Sequence, residues 1–109
     1  DDFVMFVLSA SLQVDSKRIR EITGAKKIRF ANSGELFTFT GLKPGAVPPF
    51  GRPIFPVDLY VDESVAQKTV IAFNAGSQTT SMKLQTSHYM RLVDAAVVKF
   101  SRPKMVPLD

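Results

Sequence analysis

The sequence has no cysteine, no tryptophan and a single histidine in 109 residues. Without cysteine there is no disulfide framework, no thiolate metal site and no cysteine nucleophile, which agrees with a reducing compartment. One histidine, His88, excludes a histidine-rich metal centre and leaves a serine–histidine–acid triad an unpromising reading. No apolar run is long enough to span a bilayer, and Asp1 and Asp2 ahead of "FVMFVL" lack the basic start of a signal peptide. The expectation is a soluble, cytoplasmic protein without membrane contact. No G-x-G-x-x-G follows a strand and no G-x-x-x-x-G-K-[ST] occurs, so a nucleotide cofactor has no support. The length fits one domain, residues 1–109, with enough chain to bury a core.

What is abundant is concentrated. "TGLKPGAVPPFGRP", Thr40 to Pro53, holds three glycines and four prolines in fourteen residues, with Lys43 and Arg52 and no acid. Proline fixes φ and removes a donor, while glycine opens φ values that other residues avoid, so the mixture specifies one rigid backbone path. Such a path is either an awkward connection or a binding surface made of main chain.

The formal charge of +4 is also unevenly placed. From Lys17 to Arg52, eight cations (Lys17, Arg18, Arg20, Lys26, Lys27, Arg29, Lys43 and Arg52) face only Glu21 and Glu35. A one-sided half points to a polyanion partner, because neutralising phosphates releases counterions. The plain alternative is a solvated surface. No arginine–aromatic interleaving of the kind that stacks single-stranded bases is visible.

Element types alternate along the chain. "FVMFVLSA" (3–10) has the length and apolarity of a strand buried on both faces. "DSKRIREITG" reads as a helix capped by Asp15 and stopped at Gly24, and "KKIRFA" as a half-buried strand. "SGELFTF" is a weak helical candidate because of its β-branched and aromatic content. "VDLYVD", "TVIAFNAG", "TSMKLQT" and "AAVVKF" read as strands, Ser87 as the cap of a short helix through "HYMRLV", and "SRPKMVPLD" as a frayed tail. Successive residues on a strand face opposite sides, so Asp62 and Glu63 are a strand end or turn rather than a paired acid site. The order predicts an α+β domain: a mixed, mostly antiparallel sheet, partly barrel-like, with a few short packed helices.

Three blocks in this order, "TGLKPGAVPPFG", "LYVDES" and "VIAFNAGSQTTSMKLQTSHYMRLV", carry a resemblance that covers nearly all of residues 3–100. The chain resembles the YbaK/ProX family of aminoacyl-tRNA deacylases, the prolyl-tRNA synthetase associated or trans-editing domains. The most specific part is formed by Gly41, Gly45, Pro49 and Gly51, with Phe50 beside them. The resemblance implies hydrolysis of the ester joining a wrong amino acid to the 3′ end of a tRNA, with tRNA for proline mischarged by its synthetase the expected substrate, and with no metal or cofactor. Gly45 matches the glycine whose backbone faces the scissile ester, where fixed N–H groups stabilise the developing oxyanion. Asn74, Ala75, Gly76 and Ser77 match the segment beside the amino-acid pocket, against the plainer reading of a turn that uses Asn and Gly at positive φ. Phe50 is expected to wall that pocket. Lys17, Arg18, Lys26, Lys27 and Lys43 are the expected tRNA contacts, and prolyl-tRNA synthetase the implied protein partner. The family also carries a helix, a strand and a substrate-engaging lysine that would precede Asp1; Lys17, Lys26 and Lys27 do not match that lysine. A tRNA-binding or synthetase-associated module without chemistry is the alternative. His88 as a general base is the weaker reading, an exposed helix residue the stronger.

Overall fold

The computed structural model describes residues 3–104. Its elements are β1 (Val4–Val7), β2 (Leu12–Val14), α1 (Ser16–Thr23), α2 (Ser33–Thr40), β3 (Asp58–Asp62), α3 (Glu63–Ala66), β4 (Val70–Asn74), β5 (Ser81–Gln85), α4 (Thr86–Leu92), β6 (Ala95–Val98) and β7 (Ser101–Pro103). The α+β class holds. A three-stranded sheet in the order β1-β3-β6 is parallel throughout, and antiparallel pairing is confined to the ribbons β2-β7 and β4-β5. The sheets are not closed into a barrel.

β3 is the central strand, and it supplies Leu59 and Val61 to a core completed by Val65, Ile71 and Tyr89. Phe50, Phe73 and Leu84 pack on that core from the glycine–proline segment and the β4-β5 ribbon. β1, expected to be buried on both faces, is half-buried at all four residues because it pairs on one side only among the described residues.

The helices follow their caps. The Asp15 carboxylate accepts the N–H groups of Lys17 and Arg18, and Gly24 ends α1 at φ 73°, as the sequence predicts. α2 forms despite its unfavourable composition because Asn32 and Glu35 make a reciprocal capping box. Arg29 then grips Glu35 through both carboxylate oxygens, at 2.6 and 2.7 Å. That hydrogen-bonded pairing holds the Glu35 carboxyl down at about 2. Thr38 and Thr40 turn their hydroxyls back onto the Gly34 and Leu36 carbonyls, which satisfies them inside the helix.

Three expectations are corrected, and a fourth, Asp62 as a strand end, holds and is extended. "KKIRFA" is not a strand: Arg29 is drawn to Glu35, and Phe30 stands 80% exposed with no strand paired to it among the described residues. Ser87 does not cap α4, which starts two residues earlier, at Thr86, with Gln85 at the cap position and no side-chain cap bond. The tail is not wholly frayed, since Ser101–Pro103 pair with β2; residues 105–109 lie outside the described part. Asp62 is more than a strand end. Fully buried, it caps α3 through the Ser64 N–H and accepts the N–H groups of Phe100 and Ser101 and the Ser101 hydroxyl. Burial pushes its carboxyl up, but those hydrogen bonds outweigh burial and hold it below the usual carboxylate range.

Candidate functional site

The glycine–proline segment leaves α2 at Gly41 (φ 72°) and runs to the start of β3. Its middle is held from behind by the turn joining β4 to β5. Asn74, at the end of β4, donates its amide to the Gly45 carbonyl at 2.7 Å and to the Gln78 carbonyl at 3.3 Å. Gln78 donates its amide to the Pro44 carbonyl at 2.7 Å, and the Gly76 N–H bonds the Ala46 carbonyl at 2.8 Å. Three consecutive carbonyls, those of Pro44, Gly45 and Ala46, are thus gripped from one side.

This grip has a consequence for the opposite side. The Pro44 carbonyl and the Gly45 N–H belong to one peptide unit, and in a trans peptide they point in opposite directions. Fixing the carbonyl on Gln78 therefore turns the Gly45 N–H away from the turn. Gly45 is exposed, and its N–H has no acceptor among the described residues, whereas the neighbouring Ala46 N–H is used by the Lys43 carbonyl at 3.0 Å. Gly45 sits at φ 83°, a left-handed conformation in which a side chain is strained. A Cβ there would meet only Gln78, at 3.7 Å, so its glycine is required by backbone angle rather than by crowding.

The remaining predicted residues divide into lining and support. Gly41, Lys43, Gly76 and Ser77 share a hollow of about 310 Å³ with Phe37, Leu42, Ala46 and Gln78. Ser77 accepts the N–H groups of Thr79 and Thr80 and donates to the Thr80 hydroxyl, so its own hydroxyl holds the turn. Ala75 closes the same turn through its N–H on the Thr80 carbonyl. Pro49 is an anchor: its carbonyl accepts the Tyr89 hydroxyl at 2.6 Å, and burial pushes that phenol up to about 12. Phe50 packs edge-on against Phe73 and tilts against Tyr89, which ties the segment to the core rather than exposing a free wall. Gly51 is buried, and a Cβ there would stand 2.8 Å from the Val57 carbonyl and 2.9 Å from Leu59. It is a packing glycine.

Of the expected cations, only Lys43 lines this hollow. Lys17 and Arg18 lie on α1, where Arg18 bonds Glu21 and the Lys99 carbonyl, and Lys26 and Lys27 lie exposed between α1 and α2. His88 is exposed on α4 and lines neither described hollow. A larger hollow, about 450 Å³, lies between Phe3, Phe39 and Pro56, but its charged groups Arg52 and Asp58 are paired with each other. The residues that sequence reasoning missed are Gln78, Tyr89 and Phe37. Tyr89 carries a signal in hindsight, because a tyrosine on the buried face of a short helix needs a partner for its hydroxyl.

Comparison with known proteins places the chain in a family. A family model described as an aminoacyl-tRNA editing domain matches residues 1–92. The multifunctional Ser/Thr-tRNA deacylase ProXp-y of Escherichia coli is 32% identical over 101 residues, which covers 91% of this chain and 59% of that protein. The chain thus spans about three fifths of that relative's length. Among solved structures, a scaffold from work on epitope backbone grafting superposes with a TM-score of 0.80 at 20% identity, over 91% of this chain and 65% of that one. The crystal structure of the hypothetical protein APE2540 gives 0.76 at 21% identity, over 89% and 63%. At these identities the two structures share the fold.

Proposed function

Since the chain belongs to the aminoacyl-tRNA editing domain family, we propose that it forms the ester-hydrolysing part of a deacylase that clears mischarged tRNA. The observation that carries this reading is the exposed Gly45 N–H, unpaired among the described residues and aimed outward by the Gln78 amide on the Pro44 carbonyl. A donor fixed before the reaction stabilises an oxyanion without reorganising.

In this mechanism, water attacks the ester carbonyl carbon and the electron pair of the C=O bond moves onto its oxygen, which the Gly45 N–H receives. Collapse breaks the bond to the terminal ribose oxygen, which takes up a proton, and the free amino acid leaves. A ribose hydroxyl of the RNA assists in activating the water, so no protein nucleophile is needed. The name of the curated relative directs the choice of substrate to seryl- and threonyl-tRNA, with tRNA for proline the expectation of the family resemblance. Association with prolyl-tRNA synthetase and a cytoplasmic site of action are parts of the same proposal; no helix among the described residues is long and apolar enough to cross a membrane.

The test is hydrolysis of seryl-, threonyl-, alanyl- and cysteinyl-tRNA by the native-length protein and its Gln78→Ala variant. Turnover that falls in the variant supports backbone polarisation. Turnover of none of the four, with tRNA still bound, leaves the binding module.

A further inference from the structure

Phe37 is an aromatic side chain 57% exposed, yet it lines the hollow beside the gripped peptides. Its position follows from the helix. Phe39, two residues on, packs against Phe3 with ring centroids 5.0 Å apart. Residues two apart lie roughly 200° around a helix, so the packing of Phe39 turns Phe37 to the other side of α2. The Gly41 N–H bonds the Phe37 carbonyl at 2.7 Å, which ties the last turn of α2 to the start of the glycine–proline segment.

We propose that Phe37 is a stacking platform for the nucleobase at the 3′ end of the RNA. The inference rests on the reading of Gly45 as the ester site. Size favours a base over the amino acid: about 310 Å³ is within the range of small-molecule sites and far more than a seryl or threonyl side chain fills. Charge favours it too, because Lys43 lines the same hollow with no ion-pair partner among the described residues, and so meets the phosphate that a nucleotide brings. A flat, exposed π face next to a free cation is the pairing by which proteins hold unpaired bases. It is brought together here by the fold rather than by adjacency in sequence.

The experiment measures binding of two uncharged tRNAs to the native-length protein, one ending in adenosine and one in an abasic ribose. Wild type, Phe37→Ala, Phe37→Leu and Phe37→Trp are compared, with deacylation of seryl- and threonyl-tRNA by wild type followed in parallel. Wild type is expected to prefer the adenosine-ended RNA by about 5- to 150-fold, the range for one stacked base. Phe37→Ala and Phe37→Leu lose that preference, and Phe37→Trp keeps it. A preference that persists in Phe37→Ala, or an equal weakening of both RNAs, overturns the platform. So does a change in amino-acid selectivity without any change in base preference. Turnover without base preference sinks the platform alone, and base preference without turnover sinks the deacylase reading alone.

Discussion

At the scale of single residues, the glycines of one segment do different work, and substitution separates them. Gly45→Ala places a side chain at φ 83°, which costs roughly 1–2 kcal/mol of backbone strain and tilts the N–H that the mechanism uses. We expect a melting temperature lower by roughly 4–15 °C, as this strain implies, and a fall in turnover per folded molecule that the lost stability does not explain. Gly51→Ala drives a methyl into the Val57 carbonyl and Leu59, and overpacking of this kind costs roughly 1–3 kcal/mol. Thermal denaturation should show that loss, with activity per folded molecule retained. Gln78→Ala frees the Pro44 carbonyl from an exposed position, so kcat is expected to drop by roughly 10- to 100-fold while KM holds and the fold persists. A rise in KM together with the fall in kcat would show instead that the turn had collapsed.

At the scale of elements, Asp62 joins three of them, as the end of β3, the cap of α3 and the acceptor for the backbone entering β7. Its carboxyl titrates below its ordinary value, so its contribution is fully present above that value and is lost as pH falls through the lower folded one. Urea denaturation at decreasing pH should therefore show stability falling below about pH 4. Asp62→Asn should be less stable at neutral pH and flatter in its acid dependence; an unchanged acid slope would remove Asp62 from this role. Elements with local signals were legible in the sequence. α1 has Asp15 and Gly24 at its ends, β3, β4 and β6 are largely apolar runs between turn residues, and β5 alternates Met82 and Leu84 with polar residues. What was not legible depends on distant partners. β7 is polar and short, and it becomes a strand only because β2 lies beside it and Asp62 receives its first N–H groups. "KKIRFA" has the alternation of a strand but no partner to pair with among the described residues. The site was half legible: the glycine–proline segment marked its own importance, while the grip on it comes from Gln78, thirty-four positions from Pro44.

At the scale of the whole molecule, the cations of the first half divide by what they meet. Arg18, Arg29 and Arg52 are committed to Glu21, Glu35 and Asp58, which leaves Lys17, Arg20, Lys26, Lys27 and Lys43 without an ion-pair partner among the described residues; the four lysines are the contacts proposed for an RNA backbone. Removing one phosphate-binding lysine is expected to lower the salt slope of tRNA binding by about 1. Lys26→Ala with Lys27→Ala should thus flatten a salt titration without changing which amino acid is removed. An unaltered slope would place the RNA on another face.

The central claim is that a backbone N–H, rather than an acidic, basic or nucleophilic side chain, polarises the ester. Its most direct test is single-turnover deacylation of seryl- and threonyl-tRNA by the native-length protein and by Gly45→Ala, with folding of both checked by thermal denaturation. Turnover by the wild type that collapses in a folded Gly45→Ala is the predicted result. Equal turnover by the two, or none by either while tRNA still binds, would contradict it.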